Sequence, residues 1–192
     1  MGKIDFGAAF SEGWNGFSKN ILNFIVGYLL VVIISITVIL APVMIAGIYR
    51  MGLKAARGET TEINDVFSGF SDFGRYFVGG LLWFGVMLLG VLACGVGVFV
   101  TSGITLFLFP LMVDRGESGG SAFSQCWAYF KTDWLMAIVL AFVTGLISSL
   151  GSYVAGIGVL VTGPFAMMVT VAAYEQVFGG TAPATAPTAQ PV

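Results

Sequence analysis

Arg50, Lys54 and Arg57 stand at i, i+4 and i+7, so a helix would carry all three on one face, within reach of the phosphate of an anionic lipid headgroup. The simpler reading is that they only orient the chain in a bilayer, and Glu59, Glu62 and Asp65 just beyond them dilute the positive patch. Other chemistry is scarce. The chain has no histidine and only two cysteines, Cys94 and Cys126, which removes His-based triads, structural zinc sites and haem ligation by His. Both cysteines read as small apolar fillers. Ser148, Ser149 and Ser152 lie in a stretch with no base to activate them. Pro42, Pro110 and Pro164 are candidate helix kinks, and interrupted helices can line transport sites. The residues predict no enzyme, and no catalytic, cofactor or metal site.

The elements that must hold these residues follow from composition. Of 192 residues 57% are hydrophobic and 9% charged, against roughly 25% charged in an ordinary soluble domain. A net charge of −2 offers no basic excess for nucleic acid. Three stretches carry no charge: Asn20 to Tyr49 (30 residues), Tyr76 to Val113 (38) and Trp134 to Tyr174 (41). A bilayer core takes about 20 helical residues, so the second and third stretches each fit two crossings, with turns expected at Ala93 to Gly97 and at Leu150 to Tyr153. The first stretch fits two only if it breaks at Ala41-Pro42 and borrows the turn bearing Arg50, Lys54 and Arg57, whose long side chains can snorkel outward. Three hairpins put all eight Lys and Arg on one side, which the positive-inside bias makes cytoplasmic, both termini included. A five-span alternative, crossing once over residues 21 to 45, would strand Lys3 and Lys19 on the far side. The opening residues fit neither a removable signal peptide nor a myristoylation signal.

A repeat runs through the chain. Phe10, Trp14, Phe17 and Ile21 precede the first stretch; Val66, Phe70, Phe73 and Phe77 the second; Phe123, Trp127, Phe130 and Trp134 the third. Each set is spaced i, i+4, i+7, i+11, and the sets lie 56 and 57 residues apart. Lys19 falls on Arg75 under the same shift, and Arg57-Gly58-Glu59 is echoed by Arg115-Gly116-Glu117. The predicted fold is an all-α polytopic bundle of about six spans, in three tandem units (about 5–59, 62–117 and 119–178), each an amphipathic helix at the membrane surface followed by a transmembrane hairpin. The aromatic sets are expected to anchor at the headgroup boundary. Residues 179–192, rich in Pro, Ala and Thr, are expected to form a disordered tail. Ladders of small residues, Thr144, Ser148, Ser152 and Gly156, and Thr162, Ala166 and Thr170, suit close helix packing.

The run from Phe109-Pro110-Leu111-Met112-Val113-Asp114-Arg115-Gly116 through Ala122-Phe123-Ser124 to Gly163-Pro164-Phe165 and Tyr174 resembles a group of uncharacterised bacterial inner-membrane proteins related to the membrane domain attached to glycerophosphodiester phosphodiesterases. The resemblance covers mainly residues 105 to 178 and implies a cytoplasmic-membrane location. No phosphodiesterase catalytic domain accompanies it. Two roles follow as expectations. The first is a non-enzymatic protein organising membrane lipids or scaffolding partner proteins, with self-association open, in a bundle sealed by small-residue contacts. The second is a small permease or channel subunit, which requires a polar cavity at mid-depth.

Overall fold

The computed structural model describes residues 4–34, 40–93, 96–151 and 158–179, and there it is helical throughout. Nine α-helices are described: α1 (Phe6–Lys19), α2 (Ile21–Ile34), α3 (Ala41–Ala56), α4 (Phe73–Leu92), α5 (Val96–Thr105), α6 (Leu108–Arg115), α7 (Gly119–Thr132), α8 (Trp134–Leu150) and α9 (Val159–Phe178), with a 3-10 helix over Ile63–Asp72. The expected hairpin-tip residues Cys94 and Gly95, Ser152 and Tyr153, the ladder member Gly156, Lys3 and the tail from 180 onward lie outside the described residues.

Among the described residues two helical stretches are long and apolar enough to cross a bilayer, Ile63–Leu92 and Gly97–Arg115; a third is α7 with α8 if that pair, bent by 111°, is counted as one. The bundle is apolar on its outside as well as in its core. Leu22 on α2, Leu89 and Leu92 on α4, Phe99 on α5 and Leu135 and Leu146 on α8 are exposed, with Leu92 at 72%. Contiguous apolar surface of this kind suits lipid rather than water. The interior is built from α3, α6 and α9, where Met44, Leu108, Leu111, Met168 and Tyr174 are fully enclosed.

Close backbone approach joins these helices. In an apolar medium, helices gain little from hydrophobic burial and associate where small residues let backbones touch. Gly47 of α3 and Gly69 of the 3-10 helix do this reciprocally: a Cβ at Gly47 would overlap the Val66 carbonyl, and one at Gly69 would overlap that of Val43. Gly27 of α2 lets Met51 and Ile48 of α3 and Val66 of the 3-10 helix approach closely. The facing ends of α4 and α5, and of α8 and α9, share a construction. Gly90 meets Gly97 and Gly151 meets Gly158; Thr101 donates to the Gly97 carbonyl at 3.0 Å, and Thr162 to the Gly158 carbonyl at 3.2 Å.

The packing order is cyclic. α1 lies on α9, the 3-10 helix on α3, and α7 equally on α4, α5 and α6. The outer helices follow the same rule, with α2 on α9, α4 on α3 and α8 on α5. Gly58 and Gly116, the middle residues of the two Arg-Gly-Glu echoes, both adopt positive φ (75° and 66°), the left-handed conformation that glycine accepts at a helix end.

Local chemistry sets the helix boundaries. Asp5 accepts from the Ala8 amide, Ser118 from Ser121 and Asp133 from Met136, capping α1, α7 and α8. Of the three expected kinks, Pro42 is a correction: it sits in the first turn of α3, where its missing N–H would have no partner anyway, so it starts a helix. Pro110 follows a real interruption at Leu106 and Phe107, and its ring excludes a regular bond to the Leu106 carbonyl. Pro164 lies inside an unbroken α9.

Cys126 of α7 is 2% exposed, and burial pushes its thiol up to about 12. In a Cys94→Ser variant, N-ethylmaleimide at pH 8 should leave Cys126 unmodified until the protein is denatured in SDS. Labelling of the native protein within minutes would show that α7 does not pack as described.

Candidate functional site: a hydroxyl-lined cavity and an ionic cluster

At the charged end the C-terminal ends of α3, α6 and α9 converge on Asp114, whose side chain is only 8% exposed. Arg57, just past α3, reaches Asp114 at 2.6 Å and Glu175 at 2.8 Å. Its Nε also donates to Glu175 at 2.9 Å, and the Tyr174 hydroxyl donates to Asp114 at 2.7 Å. Three helix C-termini present negative dipole ends, so carboxylates here need a cation, and Arg57 supplies it. Neighbouring links continue the network: Arg115 donates to the Phe178 carbonyl at 3.0 Å and to Gln125 at 3.1 Å, and Arg75 to the Gly116 carbonyl at 2.8 Å.

The basic trio therefore does not act as one patch. Lys54 is held by Asp65 at 2.5 Å and Arg57 by two carboxylates, while Arg50 is half-buried and has no ionic partner among the described residues. Packing the 3-10 helix on α3, and α9 beside α3, brings acids onto two of the three cations that the sequence offers to a headgroup.

A cavity of about 590 Å³ lies within the bundle, bounded by α2, α3, α4, α5, α6, α8 and α9. Tyr28, Tyr49, Ser102, Thr105, Thr144 and Thr170 bring hydroxyls to its wall, and Ser148 a seventh. Val31, Ile45, Ile48, Trp83, Leu106 and Met167 are among the apolar residues between them. No charged residue lines it. The small-residue ladders thus do two things: Thr162 bonds the Ser148 carbonyl at 3.3 Å across the hairpin, whereas Thr144, Ser148, Ala166 and Thr170 face the cavity. The first of the two expected roles calls for a bundle sealed by these residues and the second for a polar cavity; the structure leaves a space between them, with a mainly apolar wall.

The aromatic sets divide by position. Phe10, Trp14, Phe70, Phe73, Trp127 and Trp134 are exposed, and Phe77, Phe123 and Phe130 are half-buried. Phe17 departs from the anchoring expectation: it is fully buried against Phe24 and Phe165. In the second unit Val66 is buried because a 3-10 helix turns every three residues. Its exposed rings are accordingly Phe67, Phe70 and Phe73, at i, i+3 and i+6.

Tyr28, Tyr49, Asp114 and Glu175 are the residues that sequence reasoning missed. The two tyrosines sit in neutral stretches with no spacing signal. Asp114 and Tyr174 both lie in the run that carries the family resemblance, but nothing in their 60-residue separation pairs them.

Arg57→Ala should lower stability by about 2 kcal/mol, less than the roughly 3–5 kcal/mol of a fully buried pair because water reaches Arg57. Arg57→Ala combined with Asp114→Asn should recover part of that loss. A detergent-phase melting series that finds the two changes simply additive would deny the coupling. In comparisons with known proteins, no family model, curated protein or solved structure matches this chain.

Proposed function

We propose that this chain is a six-span protein of the bacterial cytoplasmic membrane, with both termini cytoplasmic and three tandem units closed into a ring, and that its role is non-enzymatic: it organises membrane lipid by holding a lipid-like molecule within the bundle. The cyclic packing order supports the three-unit reading, because each amphipathic segment lies on helices of the preceding unit and the first returns to the last. The matched hairpin tips, Gly90, Gly97 and Thr101 beside Gly151, Gly158 and Thr162, support it independently, as do the two left-handed glycines Gly58 and Gly116. α2 and α3, at 14 and 16 residues, are short for a span, and local thinning of the bilayer accommodates such lengths at modest cost.

The observation that carries the role is the cavity: bounded by α2, α3, α4, α5, α6, α8 and α9 but open in part to the surroundings, uncharged along its described lining, and walled mainly by apolar side chains. An ion path would place polar or charged groups along a continuous route. A lipid segment needs apolar walls with a few hydrogen-bonding groups. One feature favours the permease reading instead. The cavity lies away from the charged end, where the Arg57–Asp114–Glu175 cluster ties the inner helices together, an arrangement compatible with a path closed at one end.

Lipid co-purified in mild detergent should differ in composition from the bulk membrane, and proteoliposomes should pass potassium or glycerol no faster than empty vesicles. Solute flux above that background would move the assignment to a permease. A reporter fused after Gln190 should be active only if it is one that works in the cytoplasm; activity of a periplasmic reporter there would overturn the even number of spans.

A further inference from the structure

The cavity's hydrogen-bonding groups are not equivalent, and the difference selects a ligand. Thr105 donates to the Thr101 carbonyl at 2.9 Å, Thr144 to Leu140 at 2.8 Å, Thr170 to Ala166 at 3.1 Å and Ser102 to Phe99 at 3.0 Å. Their protons are spent on their own helices, the usual fate of Ser and Thr hydroxyls there, so towards the cavity they can only accept. Tyr28 and Tyr49 differ. Both line the cavity, and neither hydroxyl has a hydrogen-bond partner among the described residues; the Ser148 hydroxyl has none either, but no ring fixes its place.

Both rings are nonetheless seated. Gly163 leaves room for that of Tyr28, since a Cβ there would lie 2.5 Å from the Tyr28 Cζ and hydroxyl oxygen. The Tyr49 ring stacks on Phe109, with centroids 6.3 Å apart and planes 2° from parallel. Two positioned phenol donors thus face a space whose walls include Val31, Ile48 and Met167, all buried. Both side chains are half-buried, so a ligand that displaces water or lipid from their hydroxyls must bring an acceptor in exchange, whereas an ion would find no counter-charge there. The volume of about 590 Å³ falls in the range that holds a drug-sized molecule.

We propose that the cavity binds an uncharged lipophile through carbonyl or ester oxygens that accept hydrogen bonds from Tyr28 and Tyr49. This rests on the lipid-holding role above and names the chemistry of the ligand. Two membrane sources share that chemistry, a neutral glyceride and a lipophilic quinone.

The test titrates the full-length protein in detergent with dioctanoylglycerol, decylubiquinone and hexadecane, reading bound complex by native mass spectrometry and saturable thermal shift. At least one carbonyl probe should bind, hexadecane should not match it, and the probe that binds identifies the source. Tyr28→Phe and Tyr49→Phe, which keep the rings, should each weaken that probe about fivefold without lowering the melting temperature of the unliganded protein. Ala166→Leu, which fills the cavity, should abolish binding of every probe. Carbonyl probes that bind no better than hexadecane, or Tyr→Phe variants that bind as wild type, would overturn the proposal. If hexadecane binds as well as they do and Ala166→Leu abolishes it, the lipid-holding reading stands and the carbonyl assignment falls. If no probe binds and co-purified lipid matches the bulk membrane, both fall.

Discussion

Asp114 is a carboxylate enclosed where three helix ends meet, and it must be neutralised there. An uncompensated buried charge costs several kcal/mol, and three negative dipole ends raise that cost. Arg57 and Tyr174 answer the demand from the other two helices, and Arg57 holds Glu175 in the same grip. This contact draws α3, α6 and α9 together at the charged end. The close glycine approaches then determine how tightly the outer elements can lie on them.

Away from that end the inner helices separate enough to leave a cavity, and the two features divide the bundle. One end is cross-linked by ions and by Arg115 and Arg75 bonding to the Phe178 and Gly116 carbonyls. The other contains hydroxyls and apolar side chains only. A site without charge is poorly suited to acid–base chemistry or ion conduction and well suited to holding a neutral molecule. The apolar exterior and the uncharged interior are compatible with a ligand drawn from the same lipid phase.

The aromatic repeat shows how far spacing alone can go. Trp14, Phe70 and Trp127 occupy equivalent positions, and all three are exposed. Phe17 holds the position equivalent to Phe73 and Phe130 but is fully buried, because Phe165 of α9 closes over it. In the second unit the change from an α to a 3-10 period rotates Val66 inward and brings Phe67 out. A four-residue spacing is read as one face only if the helix type is known.

Composition and charge spacing were enough to determine an all-helical protein with apolar helices, breaks near Ala41, Ala93 and Gly151, and amphipathic segments ahead of the neutral stretches, because hydropathy and glycine act locally along the chain. The partners of Arg57 and Lys54, and the face on which each tyrosine sits, were decided only by tertiary packing. Ion pairs spanning 57 and 118 residues, and a cavity drawing on seven helices, leave no periodic trace. A hydroxyl on an apolar helix looks the same in sequence whether its proton is spent on its own backbone or left facing an enclosed space, since only the position of its neighbours separates the two.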